Sequence, residues 1–530
     1  MMKTTRDLNS TLPAIALNTR LTSLLSSDWS ASILLAFLGL VTRLPWMSQV
    51  LYHWDSVNFA YAMREFNMAQ DQPQPPGYIF YVWLTRLVDL LFHDAQHTMV
   101  AISITASFLS AVALYFLGKT LFNRGVGFLS ALFLLFSPLY WFYGEIALPH
   151  TLDALLVTLA ALFLYKTMRG DLRSLVPAIL VLVVAGGIRQ QTLIFLAPLT
   201  LFSLRKVGWR HFILAGLLGG VLCLTWFLPL ILLNGGLANY LKIMDAFTAR
   251  FQTTTSLFMG AGLWGLTRNV TKYVLYTLYA WSLFILPAAA GAVVFLRRGW
   301  KAWNQEKPLF LGLWILPVTL YYLAVHMGQQ GLVFVYLPAL LLLSAAALDG
   351  FVKGPNARGL VIAGLVLASA AVFLFLPEYP LGPTGQRLLT RDTLANSDRY
   401  YLERFAAIRK NYPSSSTIII ASNWHHVQYF LPDYKVLPFT IGAKRELDEG
   451  QPVIPFSNDV ANTPAGLGIH PSTTQPVVWV VFDPELDTFN QSPGLFAPFS
   501  LPDGASMQAA RLTANDQLRV NDAGFGLVNR

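Results

Sequence analysis

Between residues 97 and 118 the chain reads HTMVAISITASFLSAVALYFLG, a run of bilayer length without Asp, Glu, Lys or Arg. A transmembrane helix needs roughly 17 to 25 mostly apolar residues. Runs of this kind fill the first part of the sequence, at residues 31–48, 97–118, 125–143, 148–166, 172–188, 191–204, 212–233, 273–296, 308–326, 332–349 and 358–376. The pattern predicts a mainly α, polytopic membrane protein with about eleven spans, the shorter ones tilted or broken.

The composition divides the chain into two regions. Of its 530 residues 55% are hydrophobic and 12% are charged, about half the charged fraction of soluble proteins, which excludes an ordinary cytosolic enzyme. The spans lie within residues 1–376, whereas residues 377–530 have an ordinary polar composition. A helical pattern at 398–411 and short apolar runs at 417–421 and 477–482 predict a small C-terminal α/β domain.

The basic residues indicate how the chain sits in the membrane. Seventeen of them occupy the N-terminus and alternate loops: Lys3, Arg6, Arg20, Lys119, Arg124, Lys166, Arg169, Arg173, Arg205, Lys206, Arg210, Arg297, Arg298, Lys301, Lys307, Lys353 and Arg358. Cytoplasmic loops carry such an excess. We therefore expect a multi-pass protein of the bacterial inner membrane with a cytoplasmic N-terminus, and outer loops 49–96 and 234–272 on the same side as residues 377–530. These short basic clusters form no nucleic-acid module.

Both long outer loops have helical patterns. Residues 56–68 and 77–92 are rich in aromatic side chains and flank the Pro-rich turn 72–77, and apolar residues recur at helical spacing over 237–251. Amphipathic helices of this type lie in the membrane interface. We expect them to form a roof over the outer face of the spans.

Two carboxylates are candidates for chemistry at that outer face. Asp55 follows the first span, where it is either the N-cap of the next helix or a general base. Glu145 stands among aromatic residues after the third span, either as a functional group with a buried partner or as an interfacial residue that reaches water. Asp153 lies inside the next apolar run.

Cations and histidines at the outer turns suggest an anion site. Arg189, with its planar fork of donors, fits a phosphate clamp, and the alternative is a structural ion pair with a nearby carboxylate. Lys272 precedes another span and either serves the same anion or anchors the helix, and His326 lies in a short outer turn. A divalent metal held by His326, His150 and the carboxylates is conceivable, but no metal-ligand spacing supports it, so the cofactor is unknown.

Two short motifs resemble a known superfamily. The sequence reads QPPGY at residues 74–78 and YGEIAL at 143–148, with Asp55 outside the first span. Together with the interfacial helices, these features resemble the multi-span GT-C glycosyltransferases, especially protein O-mannosyltransferase-like and lipopolysaccharide sugar-transferase-like members. The resemblance covers roughly residues 30–350. This chain has Asp55-Ser56 where many relatives have Asp-Glu, and Gln74 where they have His, which weakens a metal-dependent mechanism.

The resemblance implies a hexosyl- or pentosyltransferase that moves a sugar from a polyprenyl-phosphate donor to a glycan, lipid or protein acceptor outside the cytoplasm. It assigns the catalytic carboxylate to Asp55, the acidic residue after the third span to Glu145, and the contact with the lipid phosphate to Arg189. We expect Lys272 and His326 to assist Arg189. The candidate substrate-binding residues on the outer loops are Trp54, Gln74, Tyr78, Tyr143, His150 and Gln330, although the aromatic members also suit a membrane belt.

The resulting hypothesis is an inverting direct displacement with Asp55 as the base. A transporter or lipid flippase is the main alternative, and a noncatalytic scaffold that presents residues 377–530 is a third. A transporter predicts ionisable residues deep within several spans, whereas most charges here lie near span ends.

Overall fold

The computed structural model of the chain describes residues 27–297, 305–352, 354–381, 386–439, 467–469, 477–502, 504–512, 516–521 and 524–529. Six basic residues used in the orientation prediction lie outside the described residues, namely Lys3, Arg6, Arg20, Arg298, Lys301 and Lys353.

Helices account for most of the described chain up to residue 375. They are α1 Asp28–Arg43, α2 Trp54–Arg64, α3 Ile79–Phe92, α4 Ala95–Leu121, α5 Arg124–Leu135, α6 Pro138–Tyr143, α7 His150–Met168, α8 Leu175–Ile188, α9 Gln191–Leu204, α10 Trp209–Leu233, α11 Leu237–Thr255, α12 Gly262–Trp281, α13 Ile285–Arg297, α14 Glu306–Ala324, α15 Leu337–Phe351 and α16 Pro355–Phe375. Among the described residues, seven stretches, one of them formed by α12 and α13 together, are long and apolar enough to cross a membrane. The shorter apolar helices α5, α8, α9 and α15 complete the eleven predicted spans, so the expected polytopic helical membrane protein is confirmed.

The helical bundle has a closely packed centre and an apolar surface. Helix α4 packs against α5 and α7, and a Cβ added at Gly118 of α4 would lie 2.6 Å from the Gly127 Cα of α5. Small residues at such crossings let transmembrane helices approach closely. Helix α10, in contrast, exposes large apolar side chains, as a lipid-facing helix does: Leu214, Leu217, Val221, Leu224 and Leu228.

Ion pairs connect basic loops at one end of the bundle. Asp28 at the start of α1 pairs with Lys119 and with Arg124, each at 2.5 Å. Glu306 at the start of α14 pairs with Lys206, which follows α9, at 2.6 Å. Loops that the charge pattern assigns to one side of the membrane are therefore joined at the same end of the bundle.

The predicted roof helices are present at the opposite end. Helices α2 and α3 flank the Pro-rich turn, and the Arg86 guanidinium of α3 donates to the carbonyl of Ala62 in α2 at 2.8 Å. Helix α11 forms most of the first half of the second outer loop, residues 234–272. Its Arg250 pairs at 3.0 Å with Asp71, which lies beside the Pro-rich turn. These contacts tie the three helices together.

The C-terminal region contains the predicted helix and strands within a larger α/β arrangement. Its helices are α17 Arg391–Asn411 and α18 Trp424–Phe430. Its strands are β1 Tyr379–Leu381, β2 Gln386–Leu388, β3 Thr417–Ala421, β4 Lys435–Pro438, β5 Leu467–Ile469, β6 Val477–Val481, β7 Ala497–Ser500, β8 Ser506–Leu512, β9 Asp516–Asn521 and β10 Gly524–Asn529. The main sheet has the order β4-β3-β6-β8-β7, with β3 parallel to both neighbours. Its central strands are buried and rich in β-branched residues, which favour this environment.

Specific hydrogen bonds hold this region against the first outer loop. The Asp398 carboxylate of α17 accepts from the backbone N–H of Gln49 at 3.0 Å and of Val50 at 3.2 Å. The His426 Nε2 of α18 lies 2.8 Å from the carbonyl oxygen of Leu51. The segment that leads into α2 is therefore fixed from the C-terminal side.

Candidate active site

Asp55 lies in the first turn of roof helix α2. The N-cap of this helix is His53, whose Nδ1 accepts from the backbone N–H of Asp55 at 3.0 Å, so the capping alternative for the Asp55 carboxylate is wrong. The Asp55 side chain is 22% exposed. Burial raises the pKa of its carboxyl, and His53 and Gln329 oppose that shift.

Gln329 connects Asp55 to the start of α7. Its side-chain amide donates to the Asp55 Oδ2, and its Oε1 lies 2.9 Å from the His150 Nε2. Tyr143 packs edge-on against the His150 ring, with ring centroids 5.1 Å apart. Two sequence candidates, Asp55 and His150, therefore meet at one glutamine that the sequence did not single out, and a third, Tyr143, packs against His150.

Arg189 and Asp153 form a buried ion pair beside this group. Their closest nitrogen and oxygen are 3.5 Å apart, and the side chains are 8% and 3% exposed. Helix α7 leaves the outer end at Asp153 and α8 returns to it at Arg189, which brings together residues 36 positions apart. The structural ion pair considered for Arg189 is thus present, and it does not use every donor of the guanidinium.

Tyr78 contributes a phenol that interacts electrostatically with both the Arg189–Asp153 pair and Asp55. Burial raises the pKa of Tyr78 to about 12. The phenol therefore remains protonated at neutral pH and can act as a hydrogen-bond donor.

Further cations surround His326. Burial, together with the charges of Arg268, Lys272 and Arg189, lowers the pKa of His326 to about 3. At neutral pH this imidazole is therefore uncharged, and its Nδ1 lies 3.0 Å from the Thr255 hydroxyl. Three cationic side chains around a neutral histidine create a positive potential suited to an anion.

Several buried polar atoms in this region have no hydrogen-bond partner among the described residues. They are Asp153 Oδ1, Arg189 Nε, Gln191 Oε1, Thr192 Oγ1, Tyr322 Oη, His150 Nδ1 and Gln74 Oε1. Buried polar groups are normally satisfied, and each unsatisfied one calls for an explanation. A polar headgroup bound here would supply donors and acceptors together.

Glu145 lies in a different environment. Its side chain is fully buried, Trp141 Nε1 donates to its Oε1 at 2.9 Å, and Arg43 interacts with it electrostatically. Burial raises the pKa of the Glu145 carboxyl. Within the described chain, no hydrogen bond or ion pair joins Glu145 to Asp55.

Two further candidates contact the C-terminal region. The Trp54 ring stacks on His425 with centroids 3.9 Å apart, and the Gln330 amide donates to the Arg387 carbonyl at 2.9 Å. The adjacent residues Gln329 and Gln330 thus bind different partners, Asp55 and the Arg387 carbonyl. The sequence of this short loop does not indicate which glutamine faces the carboxylate. The described residues contain no group of three or more His, Cys, Asp or Glu side chains arranged to hold a metal ion.

Part of the chain matches one known protein family and one known transferase. The family described as dolichyl-phosphate-mannose-protein mannosyltransferase matches residues 71–233. A segment of 181 residues is 29% identical to the undecaprenyl phosphate-alpha-4-amino-4-deoxy-L-arabinose arabinosyl transferase of Yersinia enterocolitica serotype O:8 / biotype 1B. This segment covers 32% of the chain and 32% of that relative, so the match spans about a third of the relative's length.

The fold is similar to solved membrane proteins over nearly its whole length. The chain is an integral membrane protein, and the fold that the sequence resemblance implied is shared with a solved structure over nearly the whole chain. The crystal structure of ArnT from Cupriavidus metallidurans bound to undecaprenyl phosphate matches with a TM-score of 0.58 at 14% identity, over 95% of this chain and 99% of that one. The apo structure of the same protein gives a TM-score of 0.57 over 94% of this chain.

Proposed function

We propose that the chain is a membrane glycosyltransferase that moves a sugar from a polyprenyl-phosphate donor to an acceptor hydroxyl. The observation that carries the proposal is that one phenol, Tyr78, interacts electrostatically with both Asp55 and Arg189, while Lys272 and Arg268 join Arg189 around His326. A base and an anion site side by side are what glycosyl transfer from a phosphate requires. The comparisons lend no support to a transporter.

The reaction follows from these positions. The Asp55 carboxylate takes the proton of the acceptor hydroxyl as its oxygen attacks the anomeric carbon of the donor sugar. The bond between that carbon and the phosphate oxygen breaks on the opposite face, which inverts the configuration. Arg189 and Lys272 stabilise the charge that develops on the departing phosphate, and neutral His326 can donate a hydrogen bond to it. The proton remains on Asp55 until the product leaves.

The substrate-binding roles of the outer residues belong to the same proposal. Tyr78 interacts electrostatically with both Asp55 and Arg189, and His150, which packs against Tyr143, is linked to Asp55 through Gln329. We assign Gln74, whose buried Oε1 has no partner in the described part of the chain, to the donor headgroup. Trp54 and Gln330 border the C-terminal region, where an acceptor glycan, lipid or protein would approach. Glu145 supports the site from beneath the roof.

Two kinds of support favour a polyprenyl-phosphate sugar as the donor: the polar atoms of the site and the names of similar proteins. A headgroup with a phosphate and a sugar offers the anion and the hydroxyls that the buried polar atoms require. The name of the Yersinia relative contains undecaprenyl phosphate, and one ArnT structure has this lipid bound. A polyprenyl chain would lie against the apolar surface of the bundle.

We further propose that residues 1–376 form the transmembrane catalytic domain and residues 377–530 an extracytoplasmic domain. The basic loops at one end of the bundle support a cytoplasmic N-terminus in a bacterial inner membrane. The roof, the site and the C-terminal domain then all lie outside the cytoplasm.

Replacement of the base tests the proposal. We expect Asp55→Asn to abolish transfer from a labelled undecaprenyl-phosphate sugar, because the amide cannot accept the proton, while binding of undecaprenyl phosphate is retained. Asp245→Asn, at an exposed position of roof helix α11, is the matched control and should keep full activity. Wild-type transfer by a folded Asp55→Asn protein would refute the assignment.

The pH dependence provides a second readout of the same group. Because burial raises the pKa of Asp55, the active ionised form is lost as the pH falls through that raised value. The acidic limb of kcat/KM should therefore lie above the ordinary aspartate range, and Asp245→Asn should leave it unchanged.

A further inference from the structure

The loop that joins α14 to α15 reaches both parts of the candidate site. We call residues 325–331 the bridging loop. The backbone N–H of Met327 donates to the Asn269 side chain at 3.1 Å, and Asn269 in turn donates to the Thr255 carbonyl at 2.9 Å. These bonds fix the loop to α12 and to the end of α11.

The far end of the bridging loop packs closely against α7. A Cβ added at Gly331 would lie 2.6 Å from His150 Cγ and from Tyr143 Cε1, so only glycine fits here without displacement. The loop is therefore held at both ends, and the side chain of Gln329 projects from a fixed backbone.

The hydrogen bonds of Gln329 can be oriented only one way. An ionised Asp55 carboxylate accepts but cannot donate, so it must face the amide NH₂ group. The amide oxygen then faces His150, and because it is only an acceptor, the proton of the neutral imidazole must be on Nε2. The charge on Asp55 thus sets the orientation of the amide, and the amide sets the tautomer of His150.

We infer that Gln329 is a positioning residue that holds the Asp55 carboxylate and the His150 imidazole in one aligned unit. This inference rests on the proposed function, in which Asp55 is the base. Since Gln329 occupies Oδ2, the acceptor proton goes to Oδ1, and rotation of the carboxylate is restricted. A misplacement of about 1 Å at a reacting group costs on the order of 100-fold in rate.

The other titratable or charged groups that interact with Asp55 are His53 two residues before it, Asp71 beside the Pro-rich turn, Arg250 on α11, and the phenols of Tyr78 and Tyr143. None of these is altered when Gln329 is replaced. A change in the titration of Asp55 can therefore be traced to the lost amide bond, provided that the roof stays in place.

The alternative is that Gln329 only fastens the bridging loop. Both roles predict lower activity on mutation, so activity alone does not separate them. The pH profile does, because a donor to the ionised carboxylate lowers its pKa and removal of that donor raises it.

The test uses the full-length protein in detergent with a labelled undecaprenyl-phosphate sugar. We expect Gln329→Leu to lower kcat about 10- to 100-fold and to move the acidic limb of kcat/KM up by about one pH unit, since a bond to an ionised group is comparable with one pKa unit. Gln329→Glu keeps the shape of the side chain and should also move the limb upward, because two carboxyl groups then share the site. Asn490→Leu is the matched control, since Asn490 is a buried amide of the C-terminal region that donates to the Gln508 side chain at 3.3 Å.

The outcomes are distinct. A raised acidic limb in folded Gln329→Leu or Gln329→Glu, with the limb of Asn490→Leu unchanged, supports the positioning role. Reduced activity with an unchanged limb in both Gln329 variants overturns it and leaves only the fastening role. Wild-type activity of Asp55→Asn would instead overturn the proposed function, and it is measured in the same series.

Discussion

Replacing Arg189 by methionine separates the structural role of this side chain from its role in donor binding. Arg189 and Asp153 are 8% and 3% exposed and 3.5 Å apart, so the variant leaves a carboxylate without its cation in a buried site. Loss of one partner of a buried pair costs about 3 to 5 kcal/mol. We expect Arg189→Met to be destabilised by about that amount.

The double variant Arg189→Met, Asp153→Leu removes both charges at once. Apolar replacement of a buried pair is often neutral, or stabilising by about 1 to 4 kcal/mol, so stability should return to at least the wild-type level. Donor binding should not return. A hydrogen bond to a charged group contributes about 1.5 to 3 kcal/mol, which corresponds to a roughly 10- to 150-fold weaker affinity for the lipid phosphate.

Thermal unfolding in detergent and binding of undecaprenyl phosphate measure the two effects on the same samples. Arg210→Met, which removes an exposed cation at the opposite end of the bundle, is the control and should change neither. If the double variant recovers both stability and wild-type affinity for undecaprenyl phosphate, Arg189 is only a partner of Asp153 and the phosphate assignment is wrong.

Two further predictions concern the surroundings of the site. Asp398→Ala removes the acceptor that binds the backbone of residues 49–50, and we expect a loss of roughly 2 kcal/mol and faster hydrogen exchange at these residues, whereas Asp433→Ala, at an exposed position, should show neither. Gly331→Ala would bring a methyl group to 2.6 Å from His150 Cγ; we expect activity to fall about 100-fold with little change in donor affinity, and unaltered kcat would contradict the tight packing of the loop.

The membrane architecture was predictable because it depends on composition along the chain. A backbone segment in a bilayer must satisfy its own hydrogen bonds, which favours a helix, and among the described residues the eleven predicted spans correspond to seven long helical stretches and four shorter helices. The prediction was less complete for the C-terminal domain. Strands 417–421 and 477–481 stood out as buried apolar runs, but β7 and β8 are mixed in polarity and gave no such signal.

The site was only partly predictable, because the decisive contacts link distant loops. Asp55 and Arg189 were recognisable as rare charges beside the spans on the outer face. Their partners Gln329 and Asp153 lie 274 and 36 residues away, and only the packing of the helices brings them within reach. Gln330, which the sequence favoured, donates instead to the Arg387 carbonyl, because neighbouring side chains of a loop point in different directions.

The surroundings of Glu145 indicate how it contributes without touching substrate. Trp141 donates to its carboxylate at 2.9 Å, and its own backbone carbonyl accepts from the N–H of Ser48 at 3.0 Å. Arg43, which interacts electrostatically with this carboxylate, also donates to the Leu135 carbonyl at 2.6 Å, so the outer end of α1 is tied to the end of α5. A base must reach the proton that it removes, and the Glu145 carboxylate is fully enclosed, whereas Asp55 is partly open. The Ser48 N–H is held by the backbone of residue 145, and the segment after Ser48 leads directly into α2, so a substitution of Glu145 that displaces this backbone would act on the reaction by shifting Asp55.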